Sequence, residues 1–108
     1  MPYLFIYIIF PPDQADAVAK IYLEHMKEER AALRPLAKEI VPNAVKATEE
    51  GMTVIGVLDV KEGKLEECLA AQQKQLLPYH VIPGYKYRME ARFKVTEALE
   101  MLGMKLPE

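Results

Sequence analysis

The sequence predicts one α+β domain over residues 1–108, an antiparallel four-stranded sheet with two helices on one face and a short helix at the C-terminal end. Three stretches carry that expectation. Residues 3–10, from Tyr3 to Phe10, form an unbroken run of aromatic, β-branched and aliphatic side chains stopped by Pro11-Pro12, as in a strand buried on both faces. Residues 13–34 repeat with helical period. Residues 85–95 alternate strictly between apolar and charged side chains, the period-two pattern of a strand with one apolar face.

The elements follow in order between the prolines. After Pro11-Pro12, Asp13 is placed as a helix N-cap and Asp16 adds negative charge to the first turn. At 100° per residue, Val18, Ile21, Tyr22, Met26, Ala32 and Leu33 share one side of this helix, opposite Asp16, Lys20, Lys27, Arg30 and Arg34. Pro35 kinks or ends it, and a short helical continuation through Ile40 is expected before Pro42. Ala44 to Thr48 and Met52 to Val60 read as a hairpin, with Gly51 supplying the positive φ of its turn. Glu62-Gly63 opens a second helix, about Lys64 to Leu77, with Leu65, Cys68, Leu69, Gln72 and Leu76 on its inner side. Pro83-Gly84 turns the chain into the alternating strand, and Thr96 is placed as the cap of a last helix, Glu97 to Leu102, closed by Gly103.

Composition narrows the function classes. The chain is 51% hydrophobic and 28% charged, with 14 basic against 16 acidic residues and a net charge of −2. Nothing in that balance pulls the whole chain toward nucleic acid or an anionic membrane. A single cysteine, Cys68, excludes an intrachain disulfide and a thiolate metal cluster. The apolar start lacks a basic leader and is too short to span a bilayer, so a cytoplasmic protein with no membrane partner is expected. No phosphate-binding glycine loop, hydrolase elbow or metal-spaced cluster is present, and no cofactor is expected.

In a β-α-β-β-α-β order, right-handed crossovers place both long helices on one face and leave the first and third strands central. The open face should then be polar in a monomer. Strand one has no polar face: Tyr3, Phe5, Tyr7 and Ile9 point one way, Leu4, Ile6, Ile8 and Phe10 the other. An apolar centre rimmed by the charges of the last strand has the anatomy of an interface. On element order and face polarity, residues 3–95 resemble the dimeric α/β-barrel group of ferredoxin-like proteins. That resemblance implies a homodimer packed through its open sheet faces. The group includes cofactor-free oxygenases, dehydratases, haem-dependent enzymes and ligand-binding modules, so it leaves the activity open. A C-terminal helix folded back over the open face is the competing cover.

Several residues are candidates for chemistry. Glu29 falls at the centre of the apolar face of the first helix, and His25 stands one turn before it, a spacing at which a general base and its orienter can meet. By helical rise Glu29 lies roughly 24 Å along, close to the far rim of a strand of roughly 26 Å, where a carboxylate can reach water. His80 follows the second helix at the opposite end, roughly 18 Å from His25 by helical rise, too far for one ion. It shares that end with Tyr79, Phe10 and Tyr85, where a pocket mouth can form. Tyr3 and Tyr7 are placed as ligand contacts, Arg88 and Arg92 as an anion clamp or as partners of the tyrosine hydroxyls, and Cys68 as core. Lys86, Arg88, Arg92 and Lys94 beside the aromatics of strand one suggest an RNA-recognition fold. The third strand, Met52-Thr53-Val54-Ile55-Gly56-Val57-Leu58-Asp59, has no aromatic to stack a base, so no nucleic-acid partner is expected. The sequence contains no complete catalytic constellation. It favours a small-molecule binding or interaction module, with a small cofactor-independent enzyme acting between sheet and helices as the alternative and a nucleic-acid module third.

Overall fold

A computed structural model describes residues 1–107. The chain runs β1 (Tyr3–Phe10), α1 (Ala15–Leu33), β2 (Ala37–Thr48), β3 (Gly51–Val60), α2 (Leu65–Leu76), β4 (Lys86–Arg92) and α3 (Val95–Met101), with 3-10 turns at Pro12–Gln14 and Leu77–Val81. The four strands form one antiparallel sheet in the order β2-β3-β1-β4. β1 and β3 are therefore central and β2 and β4 the edges, as the crossover argument requires, and the α+β architecture is compatible with the ferredoxin-like expectation.

Alternation along β1 divides the molecule. Leu4 and Ile6 are buried with Leu58 and Val60 of β3, Leu33 of α1 and Cys68 of α2, so both long helices cover the face that β1 presents with its even-numbered residues. Tyr3, Phe5, Tyr7 and Ile9 stand on the other face opposite Asp59, Val57, Ile55 and Thr53. The Cys68 thiol has no solvent exposure, and burial pushes its pKa up, which keeps it a protonated, unreactive core group.

Four local expectations are corrected. Asp13 lies inside the 3-10 turn and makes no side-chain cap bond; Pro12 starts that turn because its fixed φ suits the first helical position. The segment after Pro35 is not helical: β2 begins at Ala37, opposite Val60, and its pairing shifts register between Glu39 and Ala44, where Asn43 takes a positive φ of 65°. That double irregularity hides the strand's period in the sequence, and the edge pairing with β3 overrides the helical preference of the residues before Pro42. β4 ends at Arg92 and leaves Phe93 exposed, because β1 offers no partner beyond Tyr3. The last helix starts two residues early, with Lys94 in the cap position and the Glu97 carboxylate accepting from the Lys94 backbone N–H at 2.9 Å, while Thr96 lies inside the first turn.

α3 does not cover the open face. Its Val95, Met101 and Leu102 stay exposed, and the radius of gyration, 15.7 Å, exceeds the value of about 13 Å for a compact chain of this length.

The β2–β3 turn rests on Gly51, whose φ is 137° and whose added Cβ would stand 2.7 Å from the Phe10 carbonyl oxygen. Gly63, with φ 72°, faces open space. Urea unfolding should show Gly51→Ala destabilised by about 2 kcal/mol and by clearly more than Gly63→Ala, since the second pays only for the backbone conformation.

Candidate functional site

Two concavities lie on opposite sides of the sheet. On the helix side, α1 passes over the sheet with small residues, Ala15, Val18 and Ala19, facing Ile8, Phe10 and Val54. Short side chains leave the layers unfilled there, and a cleft of about 400 Å³ remains. Its volume is that of a small-molecule site. The far part of β2, from Pro42 to Thr48, is exposed on both faces, so the cleft has an open flank.

Glu29 is the one charged side chain lining this cleft. The sequence places it on the inner face of α1, and the structure agrees, but not at the rim: Glu29 meets the sheet at the level of Ile6, in the middle of β1, where two adjoining compartments join. Partial burial raises its pKa above the ordinary carboxylate range, and the nearby His25 charge opposes that shift. Its backbone is tied down from α2. The buried Gln72 donates to Gln75 Oε1 at 3.0 Å, and Gln75 Nε2 donates to the Glu29 carbonyl oxygen at 3.2 Å.

Tyrosines surround the carboxyl. Tyr22 from α1, Tyr79 from the 3-10 turn after α2 and Tyr85 before β4 all line the cleft. Tyr79 and Tyr85 stack at 4.9 Å between centroids, and Phe10 continues the stack at 6.1 Å. Burial, with the Glu29 and Tyr22 charges adding to it, pushes the Tyr79 phenol up to about 12; Tyr85 shifts the same way, from burial first and then its ionisable neighbours Tyr79, Glu29 and Tyr87. Both phenols are neutral hydrogen-bonding groups at any ordinary pH. Opposite Glu29, Asn43 reaches over β3, its Oδ1 3.0 Å from where a Cβ on Gly56 would stand.

The other predicted residues lie elsewhere. His25 does not line the cleft and acts on Glu29 through charge. His80 is exposed, stacks on Tyr87 at 5.8 Å and shares a 3.0 Å hydrogen bond with the Tyr87 hydroxyl, which also accepts from Gln73 at 2.6 Å. Tyr3, Tyr7, Arg88 and Arg92 stand together on the open face. There Arg88 covers the Tyr7 ring at 4.4 Å, Arg92 the Phe5 ring at 5.0 Å and Lys94 the Tyr3 ring at 5.2 Å. Arg92 donates to Glu90 at 2.9 Å and holds that carboxyl below its usual range, while Lys94 pairs with Asp59 at 2.7 Å. These cations are occupied by rings and carboxylates one sheet thickness away from the cleft. They and Glu29 cannot serve one small ligand. Beside them Tyr7, Ile9, Ile55 and Arg88 line an open trough of about 540 Å³.

Sequence reasoning grouped Phe10, Tyr79 and Tyr85 at one end and put Tyr22 and Gln72 on inner faces, but did not assemble them around Glu29. Asn43 was missed; the signal was an asparagine directly after a proline, a residue that tolerates the left-handed region. No helix is long and apolar enough to cross a membrane, and among the described residues no three His, Cys, Asp or Glu side chains are grouped as a metal site would need. No family model, curated protein or solved structure matches the chain.

Because Glu29 holds its proton more tightly when folded than when unfolded, its contribution to stability is full below the ordinary carboxylate pKa and is lost as pH rises through the raised value. Glu29→Gln should therefore raise the melting temperature at about pH 7 and leave it unchanged at about pH 3.5, where the carboxyl is protonated in both states. Thermal unfolding followed by circular dichroism at the two pH values checks this.

Proposed function

We propose that this protein is a small-molecule binding module of ferredoxin-like type, with the ligand in the cleft between sheet and helices. The observation that carries this reading is the single carboxyl of Glu29, held partly desolvated in an otherwise apolar cleft of about 400 Å³ among neutral phenols and amides. Apolar walls supply affinity, and a few converging polar groups supply orientation. A second reading, a cofactor-independent enzyme in the same cleft, draws on the raised pKa of Glu29, since a carboxylate shifted upward is a better proton acceptor than one in water. In that reading Glu29 is the acid/base and the tyrosine hydroxyls orient the substrate. His80 has no part in it, since it lies outside the cleft.

The same proposal includes a homodimer through the open face. Supporting it are the aromatic row of β1, the apolar Ile55 and Val57 beside it and the absence of cover from α3. The cations of β4 fold down over those rings and give the apolar centre of this face a charged margin, as interfaces have.

Two measurements test these readings. The neutral fluorophore N-phenyl-1-naphthylamine should bind the wild type, lose binding in the cleft-filling Val18→Trp variant and keep it in Leu23→Ala, which alters an exposed position; equal binding by all three proteins refutes the cleft. Light scattering should give twice the chain mass of 12.3 kDa for the wild type and the single mass for Tyr7→Lys. A monomeric wild type overturns the dimer and leaves the cleft untouched.

A further inference from the structure

We propose that the ligand class of the cleft is a lipophilic amine, its protonated nitrogen set against Glu29 and its apolar body lying along Ile8, Val54 and Leu76. This rests on the cleft being a small-molecule site and names what enters it.

The sign of the lining decides the ligand's charge. Glu29 contributes a negative charge, and no lysine or arginine lines that compartment among the described residues. The Arg30 guanidinium belongs to the adjoining compartment, where its Nε pairs with Glu39 at 3.6 Å and its Nη2 donates to the Tyr22 hydroxyl at 3.3 Å. An anionic ligand would bring a second negative charge beside a partly desolvated carboxylate, with no lysine or arginine in the lining and only the His25 charge outside it to offset the repulsion. A neutral ligand leaves the carboxylate's desolvation uncompensated. An ammonium reverses it, and Tyr22, Tyr79 and Asn43, which line the same space as Glu29, carry further oxygen acceptors for its N–H donors.

The aromatic content points the same way. Tyr79, Tyr85 and Phe10 form a continuous stack in the wall, and Tyr22 faces it from α1. Electron-rich rings beside a carboxylate are the surroundings in which organic cations are recognised. Away from Glu29 the wall is mainly Ile6, Ile8, Val18, Val54 and Leu76, and the amides of Gln72 and Gln75 beside them are bonded to each other and to the Glu29 carbonyl, so the rest of the ligand meets an apolar surface.

The test uses three ligands with one hydrocarbon body, 4-phenylbutylamine, 4-phenylbutanol and 4-phenylbutyrate, titrated calorimetrically into the wild type, Glu29→Gln and Val18→Trp. The amine should bind the wild type at least about tenfold more tightly than the alcohol, and the butyrate should bind most weakly. Glu29→Gln should bring the amine down to the alcohol's affinity and leave the alcohol's own nearly unchanged. If the butyrate binds as well as the amine, or the amine's preference survives Glu29→Gln, the amine assignment is wrong. Alcohol binding that Val18→Trp abolishes would then still mark the cleft as a binding site. If no ligand binds, or binding is indifferent to Val18→Trp, the cleft reading falls with it.

Discussion

Everything in this molecule depends on β1 being apolar on both sides. A strand at the centre of an antiparallel sheet needs one apolar face for its helices, and the even-numbered residues Leu4, Ile6, Ile8 and Phe10 provide it. The odd-numbered residues are free to be polar, and instead they are Tyr3, Phe5, Tyr7 and Ile9. Neighbouring strands then divide the work. β3 is apolar toward the helices and sets Val57 and Ile55 between Asp59 and Thr53 on the open face, whereas β4 meets the helix side with Tyr87 and Met89 and the open side with Lys86, Arg88, Glu90 and Arg92. The sheet is thus a partition with two chemistries, an acidic apolar cleft behind it and a cation-covered aromatic surface in front.

The cleft exists because the helix layer is underfilled at one end. Near the start of α2, Cys68 and Leu65 belong to the packed core with Leu4 and Leu58. Toward Phe10 the residues of α1 shrink to alanines and a valine, and the aromatic stack of Tyr79 and Tyr85 closes the end without filling the middle. Glu29 sits where the tight half meets the loose half. A carboxyl there can be partly desolvated and still reach a ligand, which neither the packed core nor the exposed flank would allow.

Much of this architecture was legible in the residues. Alternation in β1 and β4, the period of α1 and the turn at Gly51 depend on local chemistry, and each element is present where its pattern falls, with β4 cut short at Arg92. Glu29 was legible as a misfit, because a charged residue on an apolar face is visible on any helical wheel. Its depth was not. Helical rise alone places it at the rim, but the depth of a residue also depends on how the helix crosses the strands, which no local pattern records. β2 was misread for a related reason: its first half has meaning only against Val60, Leu58 and Val57, residues more than a dozen positions away, and the twisted backbone at Asn43 breaks its period. The histidines drew attention by residue type, and tertiary placement sent them elsewhere.

The ladder of Arg88, Arg92 and Lys94 over Tyr7, Phe5 and Tyr3 has a consequence for how the fold comes apart. β4 is an edge strand whose backbone pairs only with β1, and the helix that follows it leaves its own apolar residues in solvent. Those side-chain clasps add to the β1 ladder and to the packing of Met89 against the core around Leu4 and Cys68, and β4 with α3 is the segment whose release would uncover β1. When it lifts, β1 becomes an edge, with its ladder of N–H and C=O groups unpaired and its aromatic row uncovered. A strand so exposed is a template for another chain's strand. The cations thus act as a latch against strand exchange at that margin.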